Sequence, residues 1–445
     1  MSPMQPRSAT PTWKPEDPDF WDRHGRAIAL RNLGFAIPAL ALSFAVWLLW
    51  SVLVVHLPAA GFRYSTNQLF WLSALPAICG ATLRIFYGFA VPLVGGRRWT
   101  ALSTASLLIP ATGIGFAVQD PATPYEWMVM LALLCGLGGA NFASGMAHIS
   151  ACFPAREQGR ALGVGAGFAH LGVGLVQWAV PTVIAFDLFG LPAQGDGALW
   201  LANAGFVWLP LIAASSVTAW FGMNDFAFTG AGLAEQALMF TRRHSWLMSW
   251  LYLGSFGSFI GFSAAYPLLL RSQFPDFQAA QQLVWIGPLL GAAARPLGGW
   301  AADDFGGARI SLACFVALLL GSVGVLVSLS GAGSSLLFVA SFVLLFIAAG
   351  LANGSTFRMI PLGFLRDAQA SHTKRPEAIA QGAAALGLCS AVGAYGGFFI
   401  PKSFGSAIAL TGDPTAALLC FLAFYGSCIG ICWWFYARRN APLSC

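Results

Sequence analysis

Two arginines lie where the chain is otherwise apolar: Arg84 in RIFYGFAVPLVGGRRWT and Arg295 in RPLGGWAADDFGGARIS. The offset that takes Arg84 to Arg295 also takes Gly88 to Gly299, Gly95 and Gly96 to Gly306 and Gly307, and Arg98 to Arg309. A guanidinium is a planar fork of donors that matches a planar oxoanion and keeps its charge at physiological pH. Left unpaired at the centre of a membrane helix, an arginine costs ~3 kcal/mol on insertion scales, so a partner is required. Snorkelling to the headgroups would supply one only over a short reach. From Arg84 to Pro92 is about 12 Å of helix, more than the side chain comfortably spans. The repeat therefore predicts one cationic fork from each half of the chain, converging on an anion.

The elements that position these forks follow from composition. Hydrophobic residues make up 57% of 445 positions and charged residues 9%, against roughly 45–50% and about 25% in soluble domains. This defines an all-α membrane protein. A span needs ~20 largely apolar residues, and twelve are predicted: near 33–57, 68–92, 98–118, 126–152, 159–183 and 199–222, then 246–270, 278–302, 308–329, 334–357, 377–401 and 413–437. Two pseudo-symmetric six-helix bundles, 33–222 and 246–437, are separated by a polar loop, 223–245, that holds Asn224, Asp225, Glu235, Arg242 and Arg243. Tails of 1–32 and 438–445 flank them. The proline-rich first tail lacks an apolar core ending in a cleavage site, which argues against a signal peptide.

Eighteen of the 23 Lys and Arg residues fall in the tails and in the loops after even-numbered spans. Only Arg63, Arg271 and Lys402 fall on the other side, and Arg84 and Arg295 lie within spans. Cytosolic loops carry the basic excess, so both termini are expected in the cytosol. The +6 net charge is parcelled among loops, so it does not imply nucleic-acid binding.

Other chemistry is absent from the pattern. The cysteines are scattered without metal-ligand or disulfide spacing, and no phosphate loop, zinc signature or Ser/His/Asp spacing stands out. No enzyme activity and no cofactor are expected. All seventeen carboxylates can be placed at loops or span ends, whereas a proton-coupled cation carrier usually needs an intramembrane acid.

Two further stretches repeat: GLGGANFASGMAHISACFP from Gly136 and GLANGSTFRMIP from Gly350, with Asn141 and Asn353 at matching places. Small residues let helices approach closely, while asparagine and serine bring donors inside. Glycine packing alone is the simpler reading of these segments. The asparagines fit it less well. Twelve spans as two like-oriented halves form the parallel-repeat plan of the major facilitator superfamily. The turn GGWAADDFGGARI resembles that superfamily's cytosolic loop motif, and its first-half partner, VGGRRWT, lacks the acidic pair.

With LRIFYGFAVPLVGGRRWT, these segments make the chain strongly resemble the nitrate/nitrite porter family of the major facilitator superfamily. The signatures of that family are Gly-rich segments of the NFAS and NGSTF kind on, or just before, spans five and eleven. The resemblance covers essentially the whole chain. It implies that Arg84 and Arg295 clamp the anion, that Phe44, Phe142 and Phe256 cover its faces, and that Tyr252 donates a hydroxyl nearby. Each phenylalanine taken alone would be read as core. The chain departs from the family at GVGAGFAH, where family members read GLNGGLGN: a substrate-contacting asparagine has become His170.

The implied activity is transport of nitrate and nitrite across the cytoplasmic (inner) membrane by a monomer in the lipid bilayer. Two fixed charges about 8 Å apart repel by roughly 2 kcal/mol at an effective dielectric of 20, so a carrier that closes only when loaded becomes a nitrate/nitrite exchanger. The alternative is a nitrate symporter in which an arriving anion favours a proton on His170. His170 as a neutral replacement for asparagine remains the plainer reading. Exchange of another small oxoanion, an organophosphate, or channel flux stays open at this level, and a sensor or scaffold would leave the duplicated arginines unexplained. His148 is expected to be structural, and His56 receives no role.

Overall fold

The computed structural model describes residues 13–195, 198–226, 238–330, 334–371 and 375–443. Most of the central loop, Glu235 included, and the start of the first tail lie outside these residues. Among the described residues the chain is helical, with one isolated antiparallel bridge between Gln194 and Leu199.

The spans are α1 Pro18–Trp47, α2 Thr66–Val94, α3 Gly96–Ala117, α4 Tyr125–Cys152, α5 Ala155–Val183, α6 Asn203–Gly222, α7 Arg243–Gln273, α8 Ile286–Phe305, α9 Gly307–Ser328, α10 Ser335–Arg366, α11 Gln381–Thr411 and α12 Thr415–Ala437. All except α8 are long and apolar enough to cross a membrane by length and composition. In α8 the apolar run is diluted by Arg295, Pro288, Pro296 and four glycines. Its packing against α5, α9 and α10 places it with the other spans.

Local chemistry sets the ends of α2. A capping box opens it: Ser65 accepts from the Gln68 amide, and the Gln68 side chain accepts from the Ser65 amide. Gly95 ends α2 at φ 95°, and Gly306 ends α8 at φ 90°. A side chain would be strained at both positions, so the repeated Gly-Gly pair encodes one sharp turn twice.

The packing repeats as well. α2 lies on α4 as α8 lies on α10, α1 on α5 as α7 on α11, and α3 on α6 as α9 on α12. Between the halves, α2 meets α11 and α5 meets α8. The Gly-rich segments allow the closest approaches: a Cβ on Gly136 would lie 2.8 Å from the Gly80 amide nitrogen, and one on Gly354 2.0 Å from the Arg295 carbonyl. Glycine packing is therefore realised in both halves.

Several expected boundaries shift. α3 breaks at Ser106 and Leu107, where the Leu107 amide bonds the Thr104 carbonyl three residues back and the Ser106 hydroxyl donates to the Ser103 carbonyl. α10 runs on past Pro361, so Arg358 lies within it and pairs with Asp303 of α8. In α7 one turn of π-helix, Leu253–Gly257, interrupts the α-helix.

At the end of the bundle away from the termini, the halves are bonded together. Lys402 donates to Asn67 across 3.0 Å and lies 4.4 Å over the Trp71 ring. Ser73 donates to the Ala264 carbonyl, and Gln177 to the Ser263 carbonyl at 2.7 Å.

Candidate functional site

Arg84 and Arg295 sit at corresponding depths of α2 and α8, which the repeat makes equivalent, and they are only 2% and 4% exposed. Neither snorkels. Arg84 donates from Nε to the Gly139 carbonyl at 2.7 Å and from Nη1 to the Ser390 carbonyl at 2.9 Å. Its guanidinium carbon lies 4.9 Å from the Trp47 ring, 5.0 Å from Phe142 and 5.1 Å from Phe256. These rings attract a desolvated cation through their negative faces.

Arg295 is held differently. Its Nη1 lies 3.2 Å from His170 Nε2 and 2.9 Å from Nδ1, and it donates weakly to the Ala166 carbonyl at 3.4 Å. Phe357 is the ring over its guanidinium, at 5.0 Å. Both arginines reach across the interface: Arg84 from the first half to α11, and Arg295 from the second half to α5.

Aromatic side chains wall the space between. Phe142 stacks on Phe256 at 6.2 Å and 19°, and Phe44 meets Phe142 edge-on at 5.7 Å. The π-turn of α7 brings Tyr252 and Phe256 into a stack at 5.4 Å. Single π-turns within α-helices occur frequently at functional positions. His170 lies among Phe44, Phe256 and Phe259 at 5.1, 5.5 and 5.0 Å.

Within this wall several buried polar atoms have no protein partner: Nη2 of Arg84, Nη2 of Arg295, the Tyr252 hydroxyl and Oδ1 of Asn353. Three of these four are donors, two of them charged. Among the described residues no Asp or Glu is buried, so a carboxylate does not satisfy them. The arrangement can bind a small anion through convergent donors while the rings exclude water.

The structure brings Arg84, Arg295, Phe44, Phe142, Phe256, Tyr252, His170 and Asn353 together. Asn141 faces elsewhere: its amide donates to Ser43 at 2.9 Å and to the Ser103 carbonyl at 3.2 Å, tying α4 to α1 and α3. His148 is buried near the termini, 3.6 Å from Cys152 and stacked with Phe226. Sequence reading missed Trp47, Phe259 and Phe357. Phe357 carried a signal, since it follows Asn353 by one helical turn and shares its face. The described cysteines are free, and no group of three metal-ligating side chains occurs among the described residues.

The fold and this paired-arginine chamber define a membrane carrier built from two repeats. The profile of the Major Facilitator Superfamily matches residues 35–397. Among curated proteins the chain is 47% identical to the nitrate/nitrite transporter NarU of Salmonella typhimurium over 96% of each chain. It is 38% identical to the probable nitrate/nitrite antiporter NarK2 of Thermus thermophilus over 97% of each. Among solved structures, a bacterial homolog of the human lysosomal transporter Spinster, inward-facing and occupied, aligns with TM-score 0.64 at 13% identity, over 90% of this chain and 95% of that one. That last likeness concerns the fold alone. The chain belongs to the nitrate/nitrite porter family of the Major Facilitator Superfamily, as a multi-pass membrane protein.

Proposed function

We propose that the chain carries nitrate and nitrite across the cytoplasmic (inner) membrane by alternating access, exchanging one anion for the other between Arg84 and Arg295. The observation that carries this reading is the set of unpartnered donors, Nη2 of each arginine and the Tyr252 hydroxyl, inside an aromatic wall with no buried carboxylate among the described residues. A planar monoanion takes these donors at its edge oxygens and the rings of Phe44, Phe142 and Phe256 over its faces. The relatives named for nitrate and nitrite, one of them as an antiporter, support the same cargo.

Exchange follows from charge. Without an anion, two buried cations face each other across the interface that must close; with one, the repulsion is relieved. A carrier of this kind changes sides when loaded. The excess of basic residues in the tails and in the loops after even-numbered spans supports cytosolic termini, and in that orientation the bonds Lys402–Asn67 and Gln177–Ser263 close the outer side. Binding and closure need only the monomer and no cofactor.

The test is uptake of labelled nitrate into proteoliposomes holding nitrite, nitrate or no anion, at matched and stepped pH. Uptake should require an internal anion and ignore the pH step. Uptake into empty vesicles driven by an acid exterior would replace exchange with symport, and no uptake under any condition would overturn the cargo.

A further inference from the structure

We infer that His170 is a positioning residue for Arg295: a neutral ring whose Nε2 holds one arm of the guanidinium so that the other faces the anion, carrying no proton with the cargo. This rests on the anion-exchange reading above.

The hydrogen bonds assign the tautomer. His170 Nδ1 lies 2.5 Å from the Ala166 carbonyl, which can only accept, so Nδ1 bears the hydrogen. Nη1 of Arg295 lies within reach of both ring nitrogens, 2.9 Å from Nδ1 and 3.2 Å from Nε2; with the Nδ1 hydrogen committed to the Ala166 carbonyl, the lone pair on Nε2 is the ring's acceptor for Nη1 and for the Asn353 amide nitrogen at 3.4 Å. Both are donors. A proton on Nε2 would point at two donors and no acceptor. The rings of Phe44, Phe256 and Phe259 pack around the imidazole and fix the direction of that lone pair.

α8 brings Arg295 and α2 brings Arg84, both positive. α1, α4 and α10 bring Phe44, Phe142 and Asn353, and α7 brings Phe256, Phe259 and the Tyr252 hydroxyl, all uncharged. Among the described residues the ring has no acidic neighbour to exchange a proton with. Its contribution lies in where it sends Arg295: with Nη1 engaged by His170, Nη2 is the arm left for cargo.

Nitrate counterflow in proteoliposomes containing wild type, His170→Gln or His170→Phe, at about pH 6 and about pH 8 with a lumenal pH dye, tests this. Phenylalanine keeps a ring and loses the acceptor, so KM should rise about 10-fold while kcat moves less. Glutamine, whose amide oxygen is a neutral acceptor, should recover most of that loss. Wild-type KM should match at the two pH values, with no pH change in the lumen. A phenylalanine variant with wild-type KM, a glutamine variant as impaired as phenylalanine, or proton uptake that disappears with His170 would each overturn the assignment. In ¹⁵N-histidine spectra of the empty protein, the signals lost in His170→Gln should be those of a neutral ring protonated at Nδ1; a doubly protonated ring overturns it. Wild type without counterflow would sink the nitrate/nitrite reading instead, and the spectra would still decide the state of His170.

Discussion

The two arginines are equivalent by repeat and unequal by environment. Arg84 is tethered at Nε and Nη1 by backbone carbonyls and surrounded by three rings. Arg295 is tethered through one nitrogen, to a side chain and a long carbonyl contact, under one ring. A backbone carbonyl cannot be mutated away, whereas an imidazole can. The first-half cation is therefore the fixed jaw, and the second-half cation is the one that sequence variation can re-aim.

Lysine substitution tests this difference most severely. A single ammonium cannot bond two carbonyls and an anion in the directions a guanidinium uses. Arg84→Lys should lower kcat/KM for nitrate counterflow by about 100-fold or more, and Arg295→Lys by a smaller factor, since less of its fork is engaged by protein. Equal losses, or the reverse order, would dissolve the distinction between fixed and adjustable jaw.

The rings give a smaller contrast of the same kind. Phe256 touches Arg84, Phe142, Tyr252 and His170, whereas Phe357 touches Arg295 and Tyr252. Leucine keeps apolar bulk and removes the cation–π term. Phe256→Leu should raise the nitrate KM about 10-fold and Phe357→Leu about 3-fold. If Phe357→Leu proved the more damaging, Arg295 would depend on its ring more than on His170.

What the sequence revealed divides along the same line. Charge in an apolar run is rare, so Arg84 and Arg295 were visible without structure, as were the repeat and the positions of the spans. The groups that hold the arginines were not. Every residue has a carbonyl, so nothing singles out Gly139, Ser390 or Ala166. Trp47 and Phe357 were hidden among 17 tryptophans and 36 phenylalanines. Asn141 and Asn353 occupy matching places in their motifs, yet Ser43 draws one away and His170 meets the other. Motif position encodes the helix and the depth, while side-chain direction is settled by neighbours from distant segments. The π-turn that aims Tyr252 and Phe256 changes the helical period over five residues, too short a stretch to disturb the apolar pattern.

The smallest expected effect lies in the paired turns, where the halves share a backbone and differ in surroundings. Gly95 and Gly306 have nearly the same φ. A Cβ on Gly306 meets nothing within 4 Å, whereas one on Gly95 would lie 2.4 Å from an Asp225 oxygen. That carboxylate accepts from the Arg97 amide at 2.9 Å and pairs with the Arg97 side chain at 3.2 Å. Gly306→Ala therefore measures backbone strain alone, about 1–2 kcal/mol. Gly95→Ala adds displacement of a partly buried ion pair and should cost more. Thermal unfolding in detergent reads both, and nitrate KM should stay at the wild-type value in each, because neither turn touches the chamber. Matching losses of stability would mean that Asp225 yields freely and that the two turns are equivalent in energy as well as in shape.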